Sequence, residues 1–441
     1  MRAAHRALWP SSGLWRHGNY LRLWGAQGIS AFGSQITLLA LPLVAILTID
    51  ASTFEVAVLT AVEFAPFIFL SIPAGVWVDR LPRRPILVLT DLGRGASLLS
   101  IPLAYALDAL TLPHLYAVAL VNGALTVFFT LAYQAYLPSL VEREHLVEAN
   151  AKFEGTETLA RLGGPGAAGG LVALLSAPLA VLADAASFLA SGALIFSIKH
   201  REATDTQSSS AREKRGAFWG DMREGGRFAL KDIYLRWVLA TTAFINVGFG
   251  AVWAVLLVYA VRELEVGPGM IGLVLSAGEV GGLLGVVAAS RLTSRVGPGP
   301  VIVGSAVLFG PSLFILAVAP SRMALPFLLI GWGINSFASV LYNSTTVGLR
   351  QARVPQRLQG RVVGFNRAIV WGVGPLGALM GGALATAAGL RFAMLVGASV
   401  SFAAVVPAML SPLRSLRQLP ETVELESHVA PLPAESPSRT A

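Results

Sequence analysis

No cysteine occurs in the 441 residues, and that absence excludes disulfides, thiolate metal sites and a cysteine nucleophile at once. Charge is scarce too. Asp, Glu, Lys and Arg make up 13% of the chain against 54% hydrophobic residues, which is too apolar for a soluble chain of this length. Several catalytic signatures are missing. There is no Gly-x-x-x-x-Gly-Lys-Ser/Thr phosphate loop, no His-Glu-x-x-His and no Gly-x-Ser-x-Gly elbow, so a nucleotide-driven pump and a membrane enzyme have no support. The six histidines have no metal-ligand spacing. No metal and no organic cofactor is expected.

What is present is a succession of apolar stretches long enough to cross lipid, each needing roughly 20 residues. They fall near 19–48, 54–77, 85–107, 113–137, 147–175 and 178–198, then 235–261, 268–290, 300–319, 323–349, 360–388 and 391–412. The expectation is an all-α membrane protein of twelve transmembrane helices. The first stretch is too long for a signal-peptide core and no small-residue cleavage site follows it, so it reads as a retained span. The net charge of +8 does not point to nucleic acid, which would require the bases on one soluble face. The bases occupy alternate loops instead: Arg80, Arg83, Arg84, Arg143, Lys152, Arg291, Arg295, Arg350, Arg353 and Arg357 on one side, against only Arg262, Arg322 and Arg391 on the other. By the positive-inside bias both termini are cytoplasmic, in a plasma (inner) membrane.

Between Lys199 and Arg236 the chain turns polar, dividing the spans six and six. The expected organisation is an N-terminal six-helix bundle (1–198), a cytoplasmic linker (199–234), a C-terminal six-helix bundle (235–413) and a Pro- and Glu-rich disordered tail (414–441). In the linker, Phe218, Trp219, Met222, Phe228 and Leu230 among Asp221, Arg223, Arg227 and Lys231 can form an amphipathic helix. It would either lie on the inner leaflet or pack under the bundle. Gly75 pairs with Gly285, and Gly164-Pro165 with Gly374-Pro375, both at a separation of 210 residues. The halves read as duplicates, related by an axis along the membrane normal with a cleft between them.

The densest charged motif is Gly75-Val-Trp-Val-Asp79-Arg80-Leu-Pro-Arg83-Arg84, followed one turn apart by Asp91 and Arg94 in the third span. Acids and bases this deep need partners. The expectation is an ionic cluster at the cytoplasmic mouth whose pairs form in one conformation and break in the other. The alternative is a solvated basic loop.

That segment resembles the signature loop of the major facilitator superfamily: glycine, three residues, Asp-Arg, then a basic pair, with Pro82 where the pattern usually has Gly. The likeness continues through Asn19-Tyr-Leu-Arg-Leu-Trp24, Leu137-Pro-Ser-Leu-Val141, Glu148-Ala-Asn150 and Trp371-Gly-Val-Gly-Pro375. These are similar to the exporter branch that includes macrolide-efflux and enterobactin-exporter proteins. The resemblance implies two pseudo-symmetric six-helix bundles and export of a small molecule, a drug, secondary metabolite or siderophore, by proton antiport. Gly163-Gly164-Pro165-Gly166-Ala-Ala-Gly169-Gly170 resembles the superfamily's antiporter signature, its closing Gly pair one residue late. Physically it reads as a kinked, closely packed helix.

Proton coupling needs a membrane-embedded acid whose protonation follows conformation. Glu63 and Glu279 fall near mid-membrane without a local basic partner and are the first candidates, with Glu154 behind them. Glu157 is either a further candidate or the i, i+4 partner of Arg161. Asp184 reads as a structural hydrogen-bonder, and Arg367 as either a substrate or a structural contact. The resemblance implies an Arg in the fourth span; none is there, which leaves Arg161 or Arg367 for that part. It also implies a cavity between spans one, four, seven and ten. Gln27, Ser34, Gln35, Asn122, Gln134, Asn246, Trp253, Asn335, Phe337 and Asn343 would make this a mostly apolar chamber with scattered polar groups, suited to amphipathic molecules. The reading is a monomeric multidrug-type antiporter working by alternating access, its partners a small-molecule substrate, protons and the lipid bilayer. The alternatives are an uptake carrier or facilitator for a polar solute, and a non-transporting membrane sensor.

Overall fold

The computed structural model describes residues 14–199, 214–418 and 420, among which there is no strand. The first half holds α1 (Gly18–Leu47), α2 (Thr53–Phe69), α3 (Ser71–Arg80), α4 (Arg83–Ala106), α5 (Leu112–Leu140), α6 (Leu146–Leu174) and α7 (Ala177–Phe196). After α8 (Lys214–Lys231) the second half holds α9 (Leu235–Arg262), α10 (Pro268–Val296), α11 (Pro298–Ala317), α12 (Ala324–Arg353), α13 (Gln359–Ala388), α14 (Leu390–Ala403) and α15 (Val405–Leu410).

Ten stretches among the described residues are long and apolar enough to cross a membrane. The other two crossings are disguised by local chemistry. The first turns of α6 carry Glu148, Lys152, Glu154, Glu157 and Arg161 and are correspondingly polar. The second span is broken at Leu70 into α2 and α3. Pro73 has no N–H for the carbonyl of Phe69 and its ring crowds that position. The last span breaks for the same reason: Pro407 stands four residues after Ala403, where α14 gives way to α15.

The two halves repeat one packing scheme. In the first, α1 lies against α6 and α7, α4 against α5 and α7, and α2 against α5; in the second, α9 lies against α13 and α14, α11 against α12 and α14, and α10 against α12. The turn after the first span of each half is also the same. Asp50 and Glu265 both adopt φ 55°. Ala51 N–H donates to the Ala45 carbonyl at 2.8 Å, and Val266 N–H to the Ala260 carbonyl at 2.9 Å. A capping box, Ser52 with Glu55, then starts α2.

Two main crossings join the halves, α6 on α10 and α2 on α13, with a smaller contact of α1 and α2 on α9. Both lie toward the end opposite the linker. At the first, backbones touch: a Cβ on Gly169 would meet the Pro268 carbonyl and Gly272, and one on Gly272 would meet the Pro165 carbonyl. At the second, Gly382 faces Ala57 and Phe54. Helix α8 packs on α9 and α13, beneath the second half. Its Glu224 accepts from Arg361 and lies 3.7 Å from Arg357, while Gly225 and Gly226 sit against Arg361 and Phe365. Asp232 then accepts from the N–H groups of Tyr234 and Leu235, opening α9, and pairs with Arg353 at 2.8 Å. The side chains of Phe218, Trp219, Asp221 and Met222, and the tail expected to be disordered beyond residue 420, lie outside what is described.

Candidate functional site: a cavity between the halves

The space between the bundles holds a cavity of about 410 Å³ lined by Gln35, Thr60, Phe64, Arg161, Pro165, Asn246, Phe249, Trp253, Glu279, Trp332, Gly374 and Pro375, among others. It adjoins a larger one of about 650 Å³ nearer the linker end, where Glu154, Thr158, Thr242, Asn335, Ser336, Ser339 and Asn343 join Arg161, Asn246, Glu279 and Trp332. One wall is an aromatic slab. Phe249 and Trp253 stack at 6.1 Å and 12°, and Trp332 leans on both, at 6.2 Å and 5.4 Å. Beside it, Glu279 Oε1 accepts from Trp332 Nε1 at 3.1 Å and from Ser336 Oγ at 3.0 Å.

Of the expected cavity residues, Gln35, Asn246, Trp253, Asn335 and Asn343 do line this space. Asn335 also donates to Ser312 at 3.1 Å, tying α12 to α11. Gln27, Ser34, Asn122, Gln134, Phe337 and Arg367 line neither cavity. The unpaired carbonyl oxygen of Gln27 and the unpaired amide of Asn122 are instead buried. Sequence reasoning passed over Trp332, Phe249, Ser336 and Ser339. The signal was there on α12, where Trp332, Asn335, Ser336, Ser339 and Asn343 recur at helical spacing on an otherwise apolar span.

Among the proton-coupling candidates, Glu279 and Glu154 line the cavities, whereas Glu63 and Glu157 do not. The Glu63 carboxylate makes no hydrogen bond or ion pair among the described residues, and its own carbonyl abuts Gly123 of α5. Arg161 corrects one expectation. It forms no ion pair with Glu157 four residues earlier, because it is turned into the cavity on the wall facing Glu279.

The charged motif divides into two places. Arg84 donates to the carbonyls of Ile195 and Phe196, fastening the start of α4 to the end of α7. Gly75 and Arg80 belong to α3, and Arg83 opens α4; the Asp79 side chain lies outside the described ones. Asp91 and Arg94 are not part of a mouth. They pair with each other at 0% and 3% exposure, Ser191 donates to Asp91 at 2.6 Å, and the guanidinium lies between Phe129 (4.3 Å) and Phe188 (4.1 Å). Asp184, buried nearby against Gly33 of α1, accepts from Ser187 at 2.8 Å. The partners of Asp91, Arg94 and Asp184 among the described residues all lie on α1, α4, α5 and α7 of the first bundle.

In the Gly-Pro segment, Gly164 is packed on Gln35 of α1 and Gly169 on α10, while a Cβ on Gly170 would meet nothing within 4 Å. In the second half, Pro375 lies inside α13, and the Gly374 carbonyl faces Gly250 of α9. Glu142, Glu144 and His145 bring potential ligand atoms within 4.8 Å of one another in the loop after α5, where both glutamates are exposed.

Two repeated bundles crossing at their second, fifth, eighth and eleventh spans around a central cavity form a transporter architecture. The family model described as transmembrane secretion effector matches residues 12–434. The chain belongs to this family of the major facilitator superfamily. It is a multi-pass membrane transporter and not an enzyme. The chain is 27% identical to the multidrug efflux pump Tap of Mycolicibacterium fortuitum over 415 residues, 91% of this chain and 98% of that one. It is 24% identical to the MFS-type transporter YfiS of Bacillus subtilis, over 85% and 89% of the two. Among solved structures, a bacterial homologue of the iron transporter ferroportin in an inward-facing state superposes with a TM-score of 0.70 at 19% identity, covering 90% of this chain and 99% of that one. A bacterial Spinster homologue, inward-facing and occupied, gives 0.67 at 15%, covering 91% and 97%.

Proposed function

We propose that this transporter exports small lipophilic or amphipathic molecules across the plasma (inner) membrane, in exchange for protons, by alternating access. The observation that carries the reading is the position of the cavity. It extends toward the end bearing the linker and the basic loops, and the halves meet at the other end through the α6–α10 and α2–α13 crossings. With the basic end cytoplasmic, this conformation faces inward and takes its load from the cytoplasm. The aromatic slab suits apolar bodies, and the relationship to multidrug efflux pumps supports the outward direction.

Glu279 is the preferred proton carrier. It combines a cavity position with only two local donors, both on the same oxygen, so its charge is poorly compensated whenever the cavity closes. Downhill proton entry then resets the carrier. The test is uptake of lipophilic cations, macrolides and siderophores into inverted vesicles or proteoliposomes under an imposed pH gradient. Gradient-dependent accumulation is expected in wild type, with at least a tenfold loss in Glu279→Gln. Equal accumulation without the gradient would remove antiport, and flux only in the opposite direction would favour an uptake carrier.

A further inference from the structure

The cavity has a polar axis. Arg161 stands on α6 of the first half and Glu279 on α10 of the second, and both line the 410 Å³ cavity and its 650 Å³ extension. No ion pair within 4.0 Å joins them. Glu279 is satisfied at one oxygen only: Trp332 and Ser336 both donate to Oε1, and Oε2 takes no hydrogen bond among the described residues. Arg161 donates none among the described residues. The remaining acid of this space, Glu154, lies two turns before Arg161 at the open, solvated end, where water screens it.

Charge balance on closure then selects the ligand. In the open state both groups are wet and cheap to keep charged. When the halves close over a bound molecule they leave water, and a charge buried without a partner is heavily penalised. A monocation would pair with Glu279 and strand Arg161. A monoanion would pair with Arg161 and leave Glu279 to take up a proton without a partner of its own. A molecule carrying a basic group at one end and a carboxylate at the other satisfies both, and its flat body lies along the Phe249–Trp253–Trp332 slab. We infer that the preferred substrates are zwitterionic aromatic molecules, bridging Arg161 of one bundle and Glu279 of the other. The inference rests on the export reading for its place in a transport cycle. It adds that the substrate itself draws the halves together.

The test is binding to the full-length protein in lipid nanodiscs, measured by calorimetry at neutral pH. The probes share one planar body: 6-(aminomethyl)-2-naphthoic acid as the zwitterion, its methyl ester as the monocation and its N-acetyl derivative as the monoanion. The zwitterion is expected to bind about tenfold or more tighter than either analogue. Arg161→Gln should erase its advantage over the ester, and Glu279→Gln its advantage over the N-acetyl acid. Arg161→Lys should retain part of the preference, which separates lost charge from lost fold. An ester that binds as tightly as the zwitterion, a preference surviving both Gln substitutions, or no binding of any probe would overturn the inference. The two readings fail separately. Selective binding without proton-driven flux sinks export and leaves the recognition rule, whereas proton-driven flux without charge preference does the reverse.

Discussion

Arg94 is the most completely enclosed base among the described side chains, and its surroundings illustrate what lipid demands of a charge. One carboxylate, two phenyl faces and a serine on the carboxylate's far oxygen surround the pair. Removing one partner leaves the other ionised in an apolar interior, which costs about 3–5 kcal/mol. Asp91→Ala is therefore expected to destabilise the first bundle by that order in detergent-unfolding titrations, and the Asp91→Ala/Arg94→Leu double substitution to recover much of it. A double variant as unstable as the single one would show that the pair is not the unit of stability. The site residues were unequally legible at this scale. Asn246, Asn335 and Asn343 stand out because an amide in an apolar span needs a reason. Arg161 stayed open because i, i+4 spacing to Glu157 offers a local partner, and spacing along a helix does not say which way a long side chain turns.

The decisive contacts between elements are those where no side chain intervenes. At the α6–α10 crossing, Gly169 and Gly272 let two backbones touch, which lipid-embedded helices use because dispersion at close range replaces the missing hydrophobic drive. Gly272→Leu would drive a branched side chain into the Pro165 carbonyl and prevent this end from sealing. Flux should fall by an order of magnitude or more with the protein still inserted, whereas Gly170→Ala, with open space at its Cβ, should transport normally. Equal flux in both would mean that the crossing is not part of the moving seal. The spans were legible as elements since hydropathy reports lipid exposure directly. The breaks at Leu70 and Ala404 were not predicted, although Pro73 and Pro407 foretell them once helix register is considered.

Across the whole molecule, the end opposite the linker carries one ion pair between the halves among the described residues. Arg262, ending α9, donates to Asp50 Oδ1 and to the Ala51 carbonyl, both at 2.8 Å. The other outer pair, Arg391 with Glu263 at 3.3 Å, stays within the second half. The repeat would place a second bridge from Leu47 to Glu265, but Leu47 has no charge, so this fastening is one-sided. It has to part whenever this end opens. An exposed pair contributes only about 0.2–1 kcal/mol, yet that shifts a two-state population by up to about fivefold. The cysteine-free chain makes this measurable without prior substitution. With spin labels at Ala109→Cys and Met323→Cys, Asp50→Asn is expected to enlarge the long-distance population and the swapped pair Asp50→Arg/Arg262→Asp to restore the original one. An unchanged distance distribution would mean that the glycine crossings alone hold this end.

Composition and periodicity by themselves determined that this chain lives in lipid, how many times it crosses and which loops carry the bases, because each of these depends on transfer of residues between water and hydrocarbon, a property of the residue alone. Only the tertiary structure decided which charges share a space. Lipid and packed helix are equally apolar neighbours, so a span's sequence does not distinguish the face turned to hydrocarbon from the face turned to another helix. Asp91 with Arg94, sealed inside one bundle, and Arg161 facing Glu279 between two are alike as isolated residues. Their different fates follow from how twelve helices pack.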